Sequence, residues 1–244
     1  MIRGLDQGTR ALGALEDPVR RRLYLFVRGQ GRPVRRDEAA AAVGISRNLA
    51  AFHLDKLVDR GLLSFGYARP AGKSGPGAGR TSKLYEPSGV EVDVSVPERR
   101  YDLAGSLLVK AIEEEGKGET ARDAGSRVAR REGHHVGGTI RQELRLRKPG
   151  PERALSVTEE ILAGYGYEPY RLSPGEVALR NCPFHALATE APDLVCEMNQ
   201  RFIEGLVRGL GNESLEVALE PAPGRCCVKL RAPGAKPRPQ PPTR

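Results

Sequence analysis

The stretch 37–61, DEAAAAVGISRNLAAFHLDKLVDRG, constrains the fold more than any other part of the chain. Asp37 and Glu38 put negative charge where a helix N-terminus favours it, and the alanines behind them are strong helix formers. Gly44 stops that helix, because a residue without Cβ enters the left-handed conformation of a helix end freely. Ser46 is placed to cap a second helix, whose Ala50, Leu54, Leu57 and Val58 share one face and which Gly61 ends. A short helix, a tight turn and a longer helix with one apolar face have the spacing of a helix-turn-helix.

The flanks extend the pattern. In DPVRRRLYLFVRG, Asp17 reads as an N-cap, Pro18 as the first helical residue, and Val19, Leu23, Phe26 and Val27 as one stripe. Downstream, two alternating stretches over about residues 62–69 and 81–86 surround a tip of Gly, Pro, Lys and Arg, the pattern of a β-hairpin with a basic loop. Residues 13–90 therefore read as a winged helix-turn-helix, a DNA-binding domain. With its last helix in a major groove, Ser46, Arg47 and Asn48 reach base edges, and Ala51 and Phe52 come next, Phe52 suiting thymine methyls. Arg35, Arg36 and Lys56 suit phosphates, and Arg69, Lys73 and Arg80 on the wing suit phosphate or a narrow minor groove. His53, just before the apolar Leu54, reads as a packing or capping residue rather than a base reader. The plain alternative is a domain for protein contacts only, in which Arg47 and Arg80 are ordinary surface charges.

Charge favours a polyanion. The chain carries a net +8, and all of it falls in residues 1–90, where 16 Lys and Arg face 8 Asp and Glu; residues 91–244 balance at 23 against 23. Charge neutralisation at phosphates dominates nucleic-acid affinity, so the excess sits where a duplex would bind. With 39% hydrophobic and 29% charged residues among 244, and no run near the ~18 apolar residues of a membrane span, the expectation is a globular chain of two small domains away from membranes. Residues 1–12 contain no export signal of the usual type, so a cytoplasmic chain with reduced thiols is expected.

The remainder reads as α+β. Residues 97–150 form a charged helical segment with a thin stripe of Leu103, Leu107 and Ile112. A pair of helices that buries so little often pairs with a second copy, and two half-sites one DNA turn apart call for a dimer, so a homodimer on a pseudo-palindromic operator is expected. His134 and His135, adjacent on a helix, point about 100° apart and read as surface residues. Residues 151–231 alternate helix and strand: a helix near 152–164, strands in YGYEPYRL and GEVALRN, a helix bearing Met198, Phe202, Leu206 and Leu210, and strands in SLEVALE and RCCVKLR. Residues 232–244, APGAKPRPQPPTR, read as a disordered Pro-rich tail.

All four cysteines lie in this last domain. Cys182 precedes Pro183 near the start of a helix, where helix-end N–H groups favour a thiolate, the form that binds metals. His185 lies three residues on, and Cys196 opens the next helix. On a strand, Cys226 and Cys227 would face opposite ways, so one is expected as a ligand and the other as a core or surface thiol. Three cysteines with an open fourth position suit an iron–sulfur cluster; three with His185 close a zinc site; buried core thiols are the bland alternative. A Cys182 nucleophile with His185 as base would make an enzyme, yet no orienting third group is evident, so a non-enzyme is expected.

The pattern S-R-x-x-x-x-x-H-L-x-x-L-x-x-x-G-L over residues 46–62, with G-R-x-x-K-L-Y at 79–85, is similar to the winged domains of ArsR/MarR-type bacterial regulators. Together with CPFHALATEAPDLVC and GRCCV it resembles the SufR-type branch of ArsR-like regulators over nearly the whole chain. The resemblance implies a dimeric repressor that holds an iron–sulfur cluster, expected as 4Fe-4S, through Cys182, Cys196 and Cys226 and senses redox or iron status.

Overall fold

The computed structural model describes residues 5–68, 81–116 and 118–235. They divide into two compact units, Met1–Ser95 and Val96–Arg244. The described residues make an α+β protein with two small antiparallel sheets. Among them, no helix is long and apolar enough to cross a membrane.

In the first unit the order is α1 (Leu5–Ala14), α2 (Pro18–Gly29), β1 (Val34–Arg35), α3 (Arg36–Val43), α4 (Arg47–Asp59), β2 (Leu63–Ala68) and β3 (Ser82–Pro87). Asp17 caps α2, its Oδ1 accepting from the N–H groups of Val19 at 2.8 Å and Arg20 at 3.0 Å. Gly44 ends α3 at φ 73°, and Ser46 Oγ caps α4 by accepting from Leu49 N–H at 3.3 Å. Leu23 and Val27 from α2, Ala39 from α3 and Ala50, Leu54 and Leu57 from α4 close one core. β3 runs between β1 and β2, pairing Tyr85 with Val34 on one side and Phe65 on the other. Two elements go beyond the sequence reading: β1, and α1, which buries Ala11 and Ala14 in the same core although the domain was expected to begin near residue 13. His53 is buried, edge-on to the Phe52 ring at 5.3 Å, as a packing residue should be.

The N–H groups of Arg20 and Val19 hold the Asp17 carboxyl below the ordinary aspartate range against the opposing effect of burial. Asp17→Ala is expected to lower stability by about 1 kcal/mol in urea unfolding. Because the folded pKa is the depressed one, this contribution is complete above the unfolded value of about 3.9 and is lost as pH falls through the folded value. Wild type and variant should therefore converge in strong acid.

The second unit contains α5 (Tyr101–Glu113), α6 (Ala121–Glu143), α7 (Pro151–Gly164), β4 (Pro169–Ser173), β5 (Glu176–Leu179), α8 (His185–Glu190), α9 (Pro192–Gly209), β6 (Glu216–Leu219) and β7 (Val228–Arg231). Its sheet has the order β4-β5-β7-β6, antiparallel throughout. Val177 and Leu179 on β5 and Val228 and Leu230 on β7 join Leu155, Phe184, Met198, Phe202 and Leu206 in one core. Residues 97–150 share that core through Ala104, Leu107, Val128 and Ala129, so the expected helical linker belongs to the same body as the sheet.

The stripe expected on α5 is only partly realised. Leu107 is buried and Leu103 packs at the margin, but Ile112 is 71% exposed, and Ala104 and Ala111 take the inner positions. The face of α6 that looked too weak to bury itself is covered within the chain, by α9. Gly133 and Gly137 on α6 meet Gly205 and Gly209 on α9 so closely that backbone touches backbone. A Cβ on Gly133 would lie 1.9 Å from the Phe202 carbonyl oxygen, and one on Gly205 2.0 Å from that of Arg130. Both histidines at 134 and 135 are exposed. Of the expected tail, Ala232 is still part of the fold, its N–H donating to the Gly175 carbonyl at 2.8 Å, while residues 236–244 lie outside the described residues.

Candidate nucleic-acid interface and thiol cluster

The exposed start of α4 follows from its cap and its stripe. With Ala50, His53, Leu54 and Leu57 turned into the core, the helix period leaves Arg47, Asn48 and Phe52 outside, Phe52 at 54% exposure; Ala51 is half-buried between them. Ser46 is exposed, but its Oγ is already engaged as the cap. Arg35, Arg36 and Lys56 are exposed as well. Arg47 Nε lies 3.3 Å and Arg36 Nε 3.7 Å from Asp37 Oδ1, and Lys56 is 3.8 Å from Asp59. Exposed pairs of this kind are worth at most about 1 kcal/mol, so these cations stay free to exchange their carboxylates for phosphate. Arg69, Lys73 and Arg80 lie outside the described residues.

Sequence reasoning missed the hairpin's contribution. A recess of about 410 Å³ opens between the start of α3, α4 and the hairpin, lined among others by Arg35, Arg36, Asp55, Tyr67, Lys83 and Tyr85. Asp55 Oδ1 accepts from Tyr85 Oη at 2.8 Å and Lys83 Nζ at 2.6 Å, tying α4 to β3. Burial, helped by that hydrogen bond, pushes the Tyr85 phenol up, so it remains a donor. Lys83 Nζ also sits 4.1 Å from the Phe65 ring centre. Tyr67, 67% exposed, stands edge-on to Phe65. Only the alternation of KLYEP could have signalled any of this.

In the second unit the four cysteines stand at three places: Cys182 after β5, Cys196 in the opening turns of α9, and Cys226 with Cys227 just before β7. The vicinal pair is not on the strand. It occupies the bend that leads into it, with Cys226 N–H donating to the Leu179 carbonyl at 2.9 Å and the Cys227 carbonyl accepting from Glu220 N–H at 2.6 Å. Strand alternation therefore does not separate the two side chains: Cys226 and Cys227 are both buried, and the Cys182 and Cys227 thiols act on Cys226 while the Cys196 thiol acts on Cys227.

The run 182–226–227–196 alternates in character. The Cys226 thiol, followed by the Phe184 N–H and the charge of Arg99, lowers Cys182 against the effect of burial. The Cys196 and Cys226 thiols bring Cys227 down to about 3. Cys196 and Cys226, as the donors of these contacts, are raised, with burial adding to the effect. Behind Cys226 stands a buried polar relay: Asn199 Oδ1 accepts from Tyr167 Oη at 2.6 Å, which turns its Nδ2 toward Cys226 Sγ at 3.4 Å. The sulfur can accept this N–H while its own S–H points elsewhere, and the Val228 N–H works against the upward push on Cys226. Asn181, donating to the carbonyls of Gly166 at 2.5 Å and Glu98 at 2.9 Å, and Arg99, donating to the Cys182 carbonyl at 2.9 Å, fix the loop that carries Cys182.

His185 is exposed at the first residue of α8. Its backbone N–H closes a turn onto the Cys182 carbonyl at 3.1 Å, so the helix begins later than expected and Cys182 precedes it by three residues. The donor chemistry fits a thiophilic metal or cluster: four soft sulfurs in an apolar setting, with an amide N–H aimed at one of them as an outer hydrogen bond. Among the described residues, however, no three His, Cys, Asp or Glu side chains are grouped so as to hold a metal ion. No family model matches the chain, and no curated protein does.

Proposed function

We propose that this chain is a DNA-binding transcriptional regulator of the winged helix-turn-helix type, not an enzyme, working as a homodimeric repressor on a pseudo-palindromic operator. The observation that carries the reading is α4: one side is locked into a core while its capped start presents Arg47, Asn48 and Phe52 to solvent. The confinement of the excess positive charge to residues 1–90 supports it. The sensing group of this reading is an iron–sulfur cluster, with zinc as the alternative. Cys182, Cys196 and Cys226 would hold it, with Cys227 as an added thiolate and His185 as a further donor. A cluster would supply redox sensitivity, and zinc a structural cross-link. Either could change DNA affinity only by favouring one arrangement of the protein over another. The similarity to SufR-type regulators noted above points the same way.

The test is fluorescence anisotropy on a duplex selected from a random pool. Wild-type affinity should fall steeply with salt, and Arg47→Ala should weaken binding about 5- to 150-fold, the ~1–3 kcal/mol of a base contact. Salt-independent binding that Arg47→Ala leaves unchanged would mean a protein-contact domain instead. The same protein, purified without oxygen, should contain iron and sulfide that Cys182→Ser removes; one zinc per chain would favour the alternative.

A further inference from the structure

Residues 91–244 balance in charge, yet one end of the second unit gathers arginines. α6 and α9 run side by side in the same direction, Gly133 facing Phe202 and Gly137 facing Leu206, so their C-terminal ends open at the same place. A recess of about 520 Å³ lies there, lined among others by Arg141, Arg145, Arg147 and Arg208 with His134 and Gln142; among the described residues no acidic side chain lines it. The loop after α6 is held in place. Arg145 takes a left-handed φ of 51°, and Leu146 donates its N–H to the Arg141 carbonyl at 3.0 Å and packs on the core. Further on, the buried Asn212 donates its Nδ2 to the Pro149 carbonyl at 3.0 Å. Arg145 and Arg147 flank the core-facing Leu146 and are exposed. Arg141 Nε donates to the Leu146 carbonyl at 3.3 Å, and its guanidinium lies against Gly211, where a Cβ would stand 2.9 Å from Cζ.

Among the described residues no carboxylate pairs with Arg141, Arg145 or Arg147, and Arg208 shares Glu204 with Arg130 and Arg201. One basic residue in the last turn of each helix, Arg141 on α6 and Arg208 on α9, is enough to meet the partial negative charge of a helix end. Arg145 and Arg147 lie beyond α6, and their charges are surplus to that role. Guanidinium groups present paired N–H donors that match phosphate oxygens, and three uncompensated ones exceed what a single phosphate neutralises. We infer that this recess is a binding site for a small molecule carrying two or three linked phosphates, held by Arg141, Arg145 and Arg147 with Arg208 beside them. Its volume falls in the range of small-molecule sites, roughly 300–1,000 Å³, whereas a duplex backbone calls for an extended surface. The inference rests on neither the DNA reading nor the metal reading.

The experiment is isothermal titration calorimetry of the full chain with inorganic pyrophosphate at ~0.15 M salt, where attraction between exposed charges is screened beyond ~8 Å. One pyrophosphate per chain should bind, and orthophosphate should bind about 10-fold more weakly, the worth of one charge-assisted hydrogen bond. Arg145→Gln and Arg147→Gln should each weaken pyrophosphate by a similar factor at an unchanged urea midpoint. Arg122→Gln, which removes the same charge at the far end of α6, should leave binding as it is. Phenylglyoxal labelling of the wild type needs no variant to fold: pyrophosphate should shield Arg145 and Arg147 but not Arg122. Titration with ADP separates a nucleotide from an inorganic polyphosphate by which binds more tightly. No pyrophosphate binding at millimolar concentration, equal affinity for orthophosphate, or an equal loss in Arg122→Gln would overturn the inference. So would arginine variants that lose duplex affinity yet keep pyrophosphate, since the recess would then extend a nucleic-acid surface. No metal or DNA enters the titration, so a protein that holds no iron and ignores DNA leaves the expected result unchanged.

Discussion

Gly133→Ala and Gly205→Ala are each expected to destabilise the second unit by about 3 kcal/mol, the upper end for an overpacked contact, measured by urea unfolding. An added Cβ is ordinarily accommodated by shifting a side chain. At these two positions it would meet a main-chain carbonyl oxygen, Phe202 at 1.9 Å or Arg130 at 2.0 Å, so whole helices must part. Parting them also loosens Phe202 and Leu206, which are fully buried beside the contact. Gly138→Ala is the internal control: it lies on the same helix, a Cβ there meets nothing within 4 Å, and replacing glycine inside a helix should stabilise by up to about 1 kcal/mol. If Gly133→Ala and Gly138→Ala shift the midpoint alike, the close approach of α6 and α9 is not what holds them.

The second large effect is expected at Glu176, which is 1% exposed and shared by two cations. Its Oε1 lies 3.4 Å from Lys229 Nζ and 3.2 Å from Arg231 Nε, while Oε2 has no hydrogen-bond partner among the described residues. Lys229, itself buried, reaches a second carboxylate at Glu220, 2.9 Å away, and Glu220 also pairs with Arg231. Three carboxylates thus surround the two cations: the buried Glu176 on β5, Glu220, and the exposed Glu216 on β6, 3.9 Å from Arg231. Glu176→Leu removes the one buried carboxylate that Lys229 and Arg231 share, leaving them only the more solvated Glu220 and Glu216, and should cost about 3 kcal/mol, the lower end for breaking a buried pair. Lys229→Met should be comparably damaging through the opposite imbalance. Their combination leaves Glu220 with Arg231 and should be more stable than either single variant in a double-mutant cycle. Additive losses would show that the two groups do not depend on one another.

Much of the first unit was legible in the sequence because its determinants are local. Asp17, Gly44 and Ser46 act within three or four residues of where they stand, and the stripe on α4 needs only the helix period. α1 was overlooked because LDQGTRALGA offers small residues and glycines in place of a clear stripe, although Ala11 and Ala14 are buried. On α6 and α9 the contact is made by glycines, which give hydrophobic patterning no signal; the stripe that patterning does offer, Leu107 with Ile112, leaves Ile112 in solvent. The residues of the thiol group could be named, but its geometry could not. RCCVKLR alternates like a strand, yet the strand starts at Val228, and both Cys226 and Cys227 lie buried in the bend before it. Asn199 and Tyr167 carry no motif at all; what joins them to the sulfur is a crossing of α9 and the loop before β4 that exists only once the chain has folded.

The glycine contact also decides how strain travels. α9 carries Cys196 and Asn199 near its start and Gly205 and Gly209 near its end. Between most packed helices a layer of side chains can re-pack and damp a small movement. Here the two main chains bear directly on each other, like a shaft keyed into its sleeve. A tug on Cys196, from a ligand bound at its sulfur, therefore has little upholstery to sink into on that side of α9, and α6 must move with it or resist it as one piece.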